Sequence, residues 1–181
     1  MKNLLAVVLL AGCVALPAQE TRREIVNSHG HENDTKPLSP SVPDVFAVSG
    51  HLDRIVVLRF KFGTDLLAGL KQMIAQQHIK NAVILSGFGS VRGYQLHQVS
   101  NRDFPSKDMF VKDPTAPADI IGMSGMVMDG RVHPHITLAN AEQAFGGHLE
   151  PDTQVFTFAV ITLGVLDDSM DMSRFDDSSY R

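Results

Sequence analysis

Three histidines stand close together in "RVHPHITLANAEQAFGGHLE", residues 131–150. His133 and His135 have one residue between them, and His148 follows a pair of glycines. Imidazole can ligate a metal, carry a proton or simply hydrogen-bond, so spacing has to discriminate among these roles. Alternate side chains of a strand share a face, so His133 and His135 point the same way, roughly 7 Å apart along the backbone. Two imidazoles so placed can turn toward one ion, with zinc–nitrogen bonds of about 2.0–2.1 Å. A third histidine completes the set if the chain folds back, and "ANAEQAFGG" offers a turn and then flexible backbone. Three neutral histidines leave at least one coordination position for water or a ligand. The plain alternative is a solvent-facing strand followed by a turn histidine. Pro134, between the first two, cannot donate to a ladder and belongs at an edge, a bulge or a non-bonded site.

The histidines need elements to hold them. Asp129-Gly130 is a strong two-residue turn signal, so residues 119–140 read as a hairpin with His133 and His135 on its second strand. "TQVFTFAVITLGVL", residues 153–166, is a strand with no polar face. It calls for cover on both sides, by the core on one and a neighbouring subunit on the other. "GTDLLAGLKQMIAQQHI", residues 63–79, is the main helix. Thr64 is its expected N-cap, Asp65 favours its positive end, and Leu66, Leu67, Leu70, Met73 and Ile74 form one apolar face. His78 reads as a helix-end residue. Residues 45–50 and 54–60 read as two strands joined around Gly50–Asp53. Residues 81–99 read as a strand, a glycine-permitted bend and another strand. Their glycines Gly87, Gly89 and Gly93 miss the dinucleotide spacing, because Arg92 holds the third position. Residues 101–118 are irregular, with an edge strand around Met109 to Val111. The fold class is therefore α+β: a mixed, largely antiparallel sheet packed with one main helix, over residues 44–166.

Residues 1–18 have the form of an export signal: Lys2, then a short apolar run. "LAGC", residues 10–13, is similar to the lipobox of bacterial lipoproteins, in which the cysteine becomes the lipidated first residue. Cleavage after Ala18 is the competing expectation. Cys13 is the only cysteine, so no intrachain disulfide can form. The expected location is outside the cytoplasm, either on a membrane through Cys13 or as a periplasmic or secreted protein. Residues 19–43 read as a linker in which His29 and His31 are solvated, and the acidic, serine-rich residues 167–181 as a flexible tail. The net charge is −4 over 181 residues. Removal of the leader takes Lys2 and no acidic residue, giving about −5, a poor start for binding a polyanion.

"GFGSVRGYQL" and "DGRVHPHITLANAEQAFGGHLEPDTQVFTFAVITL", with the earlier "LRFKFGTDLLAGLKQMIAQQHIKNAVILSGFGS", resemble the PPC domain (plants and prokaryotes conserved domain) from about Val45 to Leu166. The resemblance implies a stand-alone prokaryotic domain that forms a homotrimer, with a metal-binding histidine set at His133, His135 and His148. Plant members join this domain to AT-hook segments and bind DNA. This chain has no Arg-Gly-Arg-Pro-like hook, and Pro134 separates two of the expected ligands.

Three functions are expected on these grounds. The first is an exported module that binds a divalent transition metal, zinc foremost, and holds a small ligand beside it. The second is a metal-dependent hydrolase or lyase, for which Glu142 and Glu150 are the nearest candidate bases. The third is DNA binding, which acidic charge, export and the missing hook oppose.

Overall fold

The computed structural model describes residues 24–30 and 37–181. Cys13, His31 and the expected leader lie outside the described residues. The order of elements is β1 (Glu24–Asn27), β2 (Leu52–Lys61), α1 (Leu66–Gln76), β3 (Ala82–Val99), β4 (Asp108–Asp113), β5 (Ala118–Met128), β6 (Arg131–Ala139), β7 (Ala144–Leu149) and β8 (Gln154–Leu166). All strand pairings among the described residues are antiparallel. The parallel component of the expected mixed sheet is not found there.

Strand β3 organises the sheet. Its first half lies between β5 and β8, and its second half between β4 and β7. Because β5 pairs with β6 and β6 with β7, the strands β3, β5, β6 and β7 close on one another as a ring. The glycine bend expected in residues 81–99 does not end the strand. It appears as register shifts within β3, at Ile84/Ser86, Gly89/Val91 and Val91/Gly93. Gly89 has φ +140°, a conformation that a side chain would strain.

Helix α1 starts one residue later than expected, with Asp65 rather than Thr64 as the cap: its carboxylate accepts from the Ala68 N–H at 2.8 Å. Leu66, Leu67, Leu70 and Ile74 are buried, as their spacing requires. His78 ends the helix in a left-handed conformation, φ 51°. The Ile79 and His78 N–H groups return to the carbonyls of Ile74 and Ala75, a Schellman closure. The core joins this face to Leu138, Leu149, Ile161 and Leu163 of the sheet.

Residues 45–50 form no strand; β2 pairs with β8 instead, and Phe46 packs against the rings of Phe175 and Tyr180. Part of the expected linker instead forms β1, which pairs with β4, so β4 is not an edge. Residues 167–181 lie against the body rather than fraying. Met172 is buried, and Phe175 and Tyr180 meet Phe46 with ring centroids 4.9 and 5.7 Å away.

Candidate metal centre

The histidines are assembled by sheet register. On β6, His135 lies directly opposite His148 of β7, and His148 lies directly opposite His97 of β3. One row of three imidazoles therefore crosses three neighbouring strands. His133, two residues before His135, adds a fourth on the same face. The β5–β6 turn that starts this hairpin is Asp129-Gly130, with φ of 51° and 78°, the positive pair that a tight hairpin turn needs. Pro134 lies one residue outside the β6–β7 ladder, which runs from His135 to Ala139. Opposite it in β5 is Gly125, φ +130°.

The glycine pair before His148 lets backbones approach. A Cβ at Gly147 would overlap the carbonyl oxygen of His97, and one at Gly146 would overlap that of Ile136. The Gln98 amide reaches across from β3 to donate to the Gly146 carbonyl. "GGH" thus wedges β7 between β6 and β3, and this places His148 between His135 and His97.

Carboxylates set the rings. Glu150 Oε1 lies 2.6 Å from His97 Nδ1 and 3.0 Å from His148 Nδ1. Asp176 Oδ1 lies 2.8 Å from His133 Nδ1. A carboxylate accepts, so each Nδ1 carries the proton and the Nε2 of the neutral ring keeps its lone pair. The Nε2 atoms of His133 and His135 are 3.2 Å apart. Ring centroids of His133 and His135 lie 4.7 and 5.7 Å from that of His148, and the His97 ring stacks on His148 at 4.5 Å. The side chains of His97, His148 and Glu150 keep 17–23% exposure, whereas that of His133 keeps 41% and His135 is exposed, so the site is sheltered at its β3–β7 side and open to solvent at β6.

Burial lowers the pKa of His135, helped by the nearby His133 and His97. Burial also lowers that of His148, followed by His97; the contact with Glu150 opposes this, and His133 adds a smaller push downward. Both rings therefore stay neutral to a lower pH than an ordinary histidine, the form in which imidazole binds metal.

The rings of the three histidines singled out from the sequence lie near one another, but the group among the described residues whose ligand atoms converge closely enough for one ion shares only His148 with them. His97, His148 and Glu150 each offer a ligand atom within 4.8 Å of the other two, and this group could hold a metal ion. Glu150 therefore belongs to the site. Glu142 does not: it sits in the exposed turn between β6 and β7, where its N–H donates to Asn140. His29 is exposed. His97 and Asp176 escape sequence reasoning because each is joined to the site only by long-range pairing. His97 is a lone histidine in a strand, and Asp176 is one of several acids in the terminal segment.

An antiparallel sheet closed around β3, one helix, and imidazoles gathered from a His-x-His strand and a Gly-Gly-His strand define a PPC-type domain with a histidine centre. The chain belongs to the Plants and Prokaryotes Conserved (PCC) domain family, whose profile matches residues 47–167. It is similar in fold to a metal-containing protein from Archaeoglobus fulgidus, with TM-score 0.61 and 21% identity over 75% of this chain and 95% of that one. A plant- and prokaryote-conserved (PPC) protein from Pyrococcus horikoshii aligns with TM-score 0.56 and 25% identity, over 69% of this chain and 87% of that one. Among curated proteins, 111 residues are 31% identical to a bifunctional protein GlmU of Synechococcus sp. (strain JA-2-3B'a(2-13)). That match covers 61% of this chain and only 16% of the length of the relative.

Proposed function

We propose that the domain binds one divalent transition metal ion, zinc foremost, through His133, His135 and His148, and holds a small ligand at the position they leave open. The observation that carries this reading is the 3.2 Å between the Nε2 atoms of His133 and His135. Two nitrogens on one tetrahedral zinc stand about 3.3 Å apart, given bonds of about 2.0–2.1 Å. In the metal-free protein the same distance fits a hydrogen bond from the Nε2–H of His135 to the Nε2 lone pair of His133, a proton that a bound cation would replace. His148, opposite His135 in the next strand, brings the third ring to the same face. Asp176 and Glu150 hold Nδ1 protons, the outer-shell arrangement that orients ligating histidines. The fold of the metal-containing Archaeoglobus fulgidus protein supports the same reading. Bound there, the ion would supply a Lewis acid to an anionic group or water.

The test is elemental analysis of purified protein and of the single variants His133→Ala, His135→Ala and His148→Ala. About one zinc per chain in the parent and loss in each variant are expected. Full occupancy in all three would defeat the assignment.

Glu150 is the observation that favours the second reading, a metal-dependent hydrolase or lyase, because it places a carboxylate beside His148. Its Oε1 already meets two imidazoles, which suits orienting rings better than abstracting a proton. The reading also includes an exported homotrimer. The form of residues 1–18 supports export, and the apolar face left uncovered on one chain supports assembly, with Phe88, Phe156, Phe158 and Val57 all exposed on β2, β3 and β8.

A further inference from the structure

The family match ends at residue 167, yet the chain continues, and its terminal segment reaches back to the histidines. We infer that Asp176 is a positioning residue of the metal centre: it fixes the His133 imidazole with Nε2 turned toward His135. The inference rests on the proposed metal binding and assigns part of the site to a segment beyond the conserved domain.

The terminal segment is fastened on both sides of Asp176. Before it, the buried Asn81 donates to the carbonyl of Met170 at 2.9 Å, and Met172 is buried. Phe175 packs on Phe46. After it, Tyr180 meets the same ring, and the Arg181 carbonyl accepts from the Ser39 N–H at 2.8 Å. A segment so anchored can present one carboxylate at a defined place.

The neighbouring charges leave that carboxylate to His133. Arg174 pairs with Asp177 at 3.0 Å, and Lys80 donates to the Asp168 carbonyl at 2.9 Å. Asp176 Oδ1 meets His133 Nδ1 at 2.8 Å. Receiving the Nδ1–H makes Nε2 the lone-pair atom and raises its basicity. Without the acceptor, the ring is free to rotate or to carry its proton on Nε2, the nitrogen needed as ligand.

The experiment uses the full chain with Asp176→Ala and Asp176→Asn, checked for folding by circular dichroism. Zinc affinity is measured by competition with a chromophoric chelator. Imidazole tautomers are read from long-range proton–nitrogen correlation spectra of the metal-free protein at alkaline pH. Affinity should fall about 10–100-fold in Asp176→Ala, with His133 passing from the Nδ1–H to the Nε2–H tautomer. Asp176→Asn, whose amide oxygen still accepts, should keep the tautomer and recover most of the affinity. Unchanged affinity in the alanine variant would overturn the inference. So would a loss in which the tautomer does not move, or an asparagine variant as weak as alanine. Should the parent bind no zinc while the tautomer still tracks Asp176, the metal reading fails and the positioning of His133 stands. If alanine does not fold, an Nε2–H tautomer in the asparagine variant overturns the inference alone.

Discussion

Gly147→Ala tests whether close backbone approach builds the histidine row. The added methyl would sit well under 3.0 Å from the His97 carbonyl oxygen, a distance real Cβ atoms essentially never show. The obstacle is backbone, which cannot rotate aside as a side chain can. Restoring ordinary contact requires β7 and β3 to part by roughly an ångström. The two strands are joined by few pairings, Leu96 with Leu149 and His97 with His148, so separation concentrates there. Forcing a methyl into packed structure costs about 1–3 kcal/mol. For a chain of this size each kcal/mol lowers the melting temperature by about 2–4 °C, so a fall of roughly 2–12 °C is expected. The same movement would draw apart His97 and His148, which now share Glu150 Oε1 at 2.6 and 3.0 Å, and should weaken zinc binding as well. Calorimetry of the metal-free protein and chelator competition for zinc measure the two effects. A variant that melts within a degree of the parent and binds zinc equally would refute the reasoning. Melting loss with unchanged affinity would detach His97 and Glu150 from the metal centre.

Charge, surface and pH lead to further outcomes. His135 and His148 have pKa values below the ordinary 6.5, so the unfolded chain takes up protons first. The stability of the metal-free protein should therefore be full above about pH 6.5 and fall as acidification proceeds through the lowered native values. Stabilisation on acidification through that window would contradict the assignment. Light scattering at micromolar concentration should report a trimer, and Phe158→Asp, on the exposed face of β8, should yield monomers; a monomeric parent would leave that face without a purpose. Titration with mixed-sequence and AT-rich duplexes at physiological salt should show no tight complex, given the −4 net charge; strong salt-sensitive binding would restore the DNA reading. Cys13→Ala should move the protein from membrane to soluble fraction, whereas a native amino terminus at Gln19 would replace the lipid anchor with plain secretion.

Local signals were legible where local chemistry decides structure. Asp129-Gly130 marks its own turn, and the leucine spacing of α1 marks its buried face. His-x-His on a strand puts two rings on one face by period alone. What escaped is non-local. Residues 45–50 open with an apolar run, Val45 to Val48, that reads like a strand, but they pair with none. The glycines of residues 81–99 suggest a break, yet pairing on both sides carries β3 through them with register shifts. His97 joins the site because β3 is long enough to pass β5 and then meet β7, a fact of register that no window around residue 97 contains.

The terminal segment carries the most consequential of these non-local effects. Composition assigns residues 167–181 to solvent, since their acids and serines bury poorly. Phe175, Tyr180 and Met172 supply the apolar contacts that composition averages away, and Phe46 receives two of them. The stretch around Phe46 thus has an explanation for failing to become a strand: its ring serves as a platform for the chain end. That platform sets where Asp176 stands, and Asp176 meets His133. A residue ahead of β2 and a segment after β8 therefore act on one imidazole between them. On the proposed metal reading, two chains of this family with the same His-x-His and Gly-Gly-His strands would differ in metal affinity through residues that the matched domain, 47–167, does not contain.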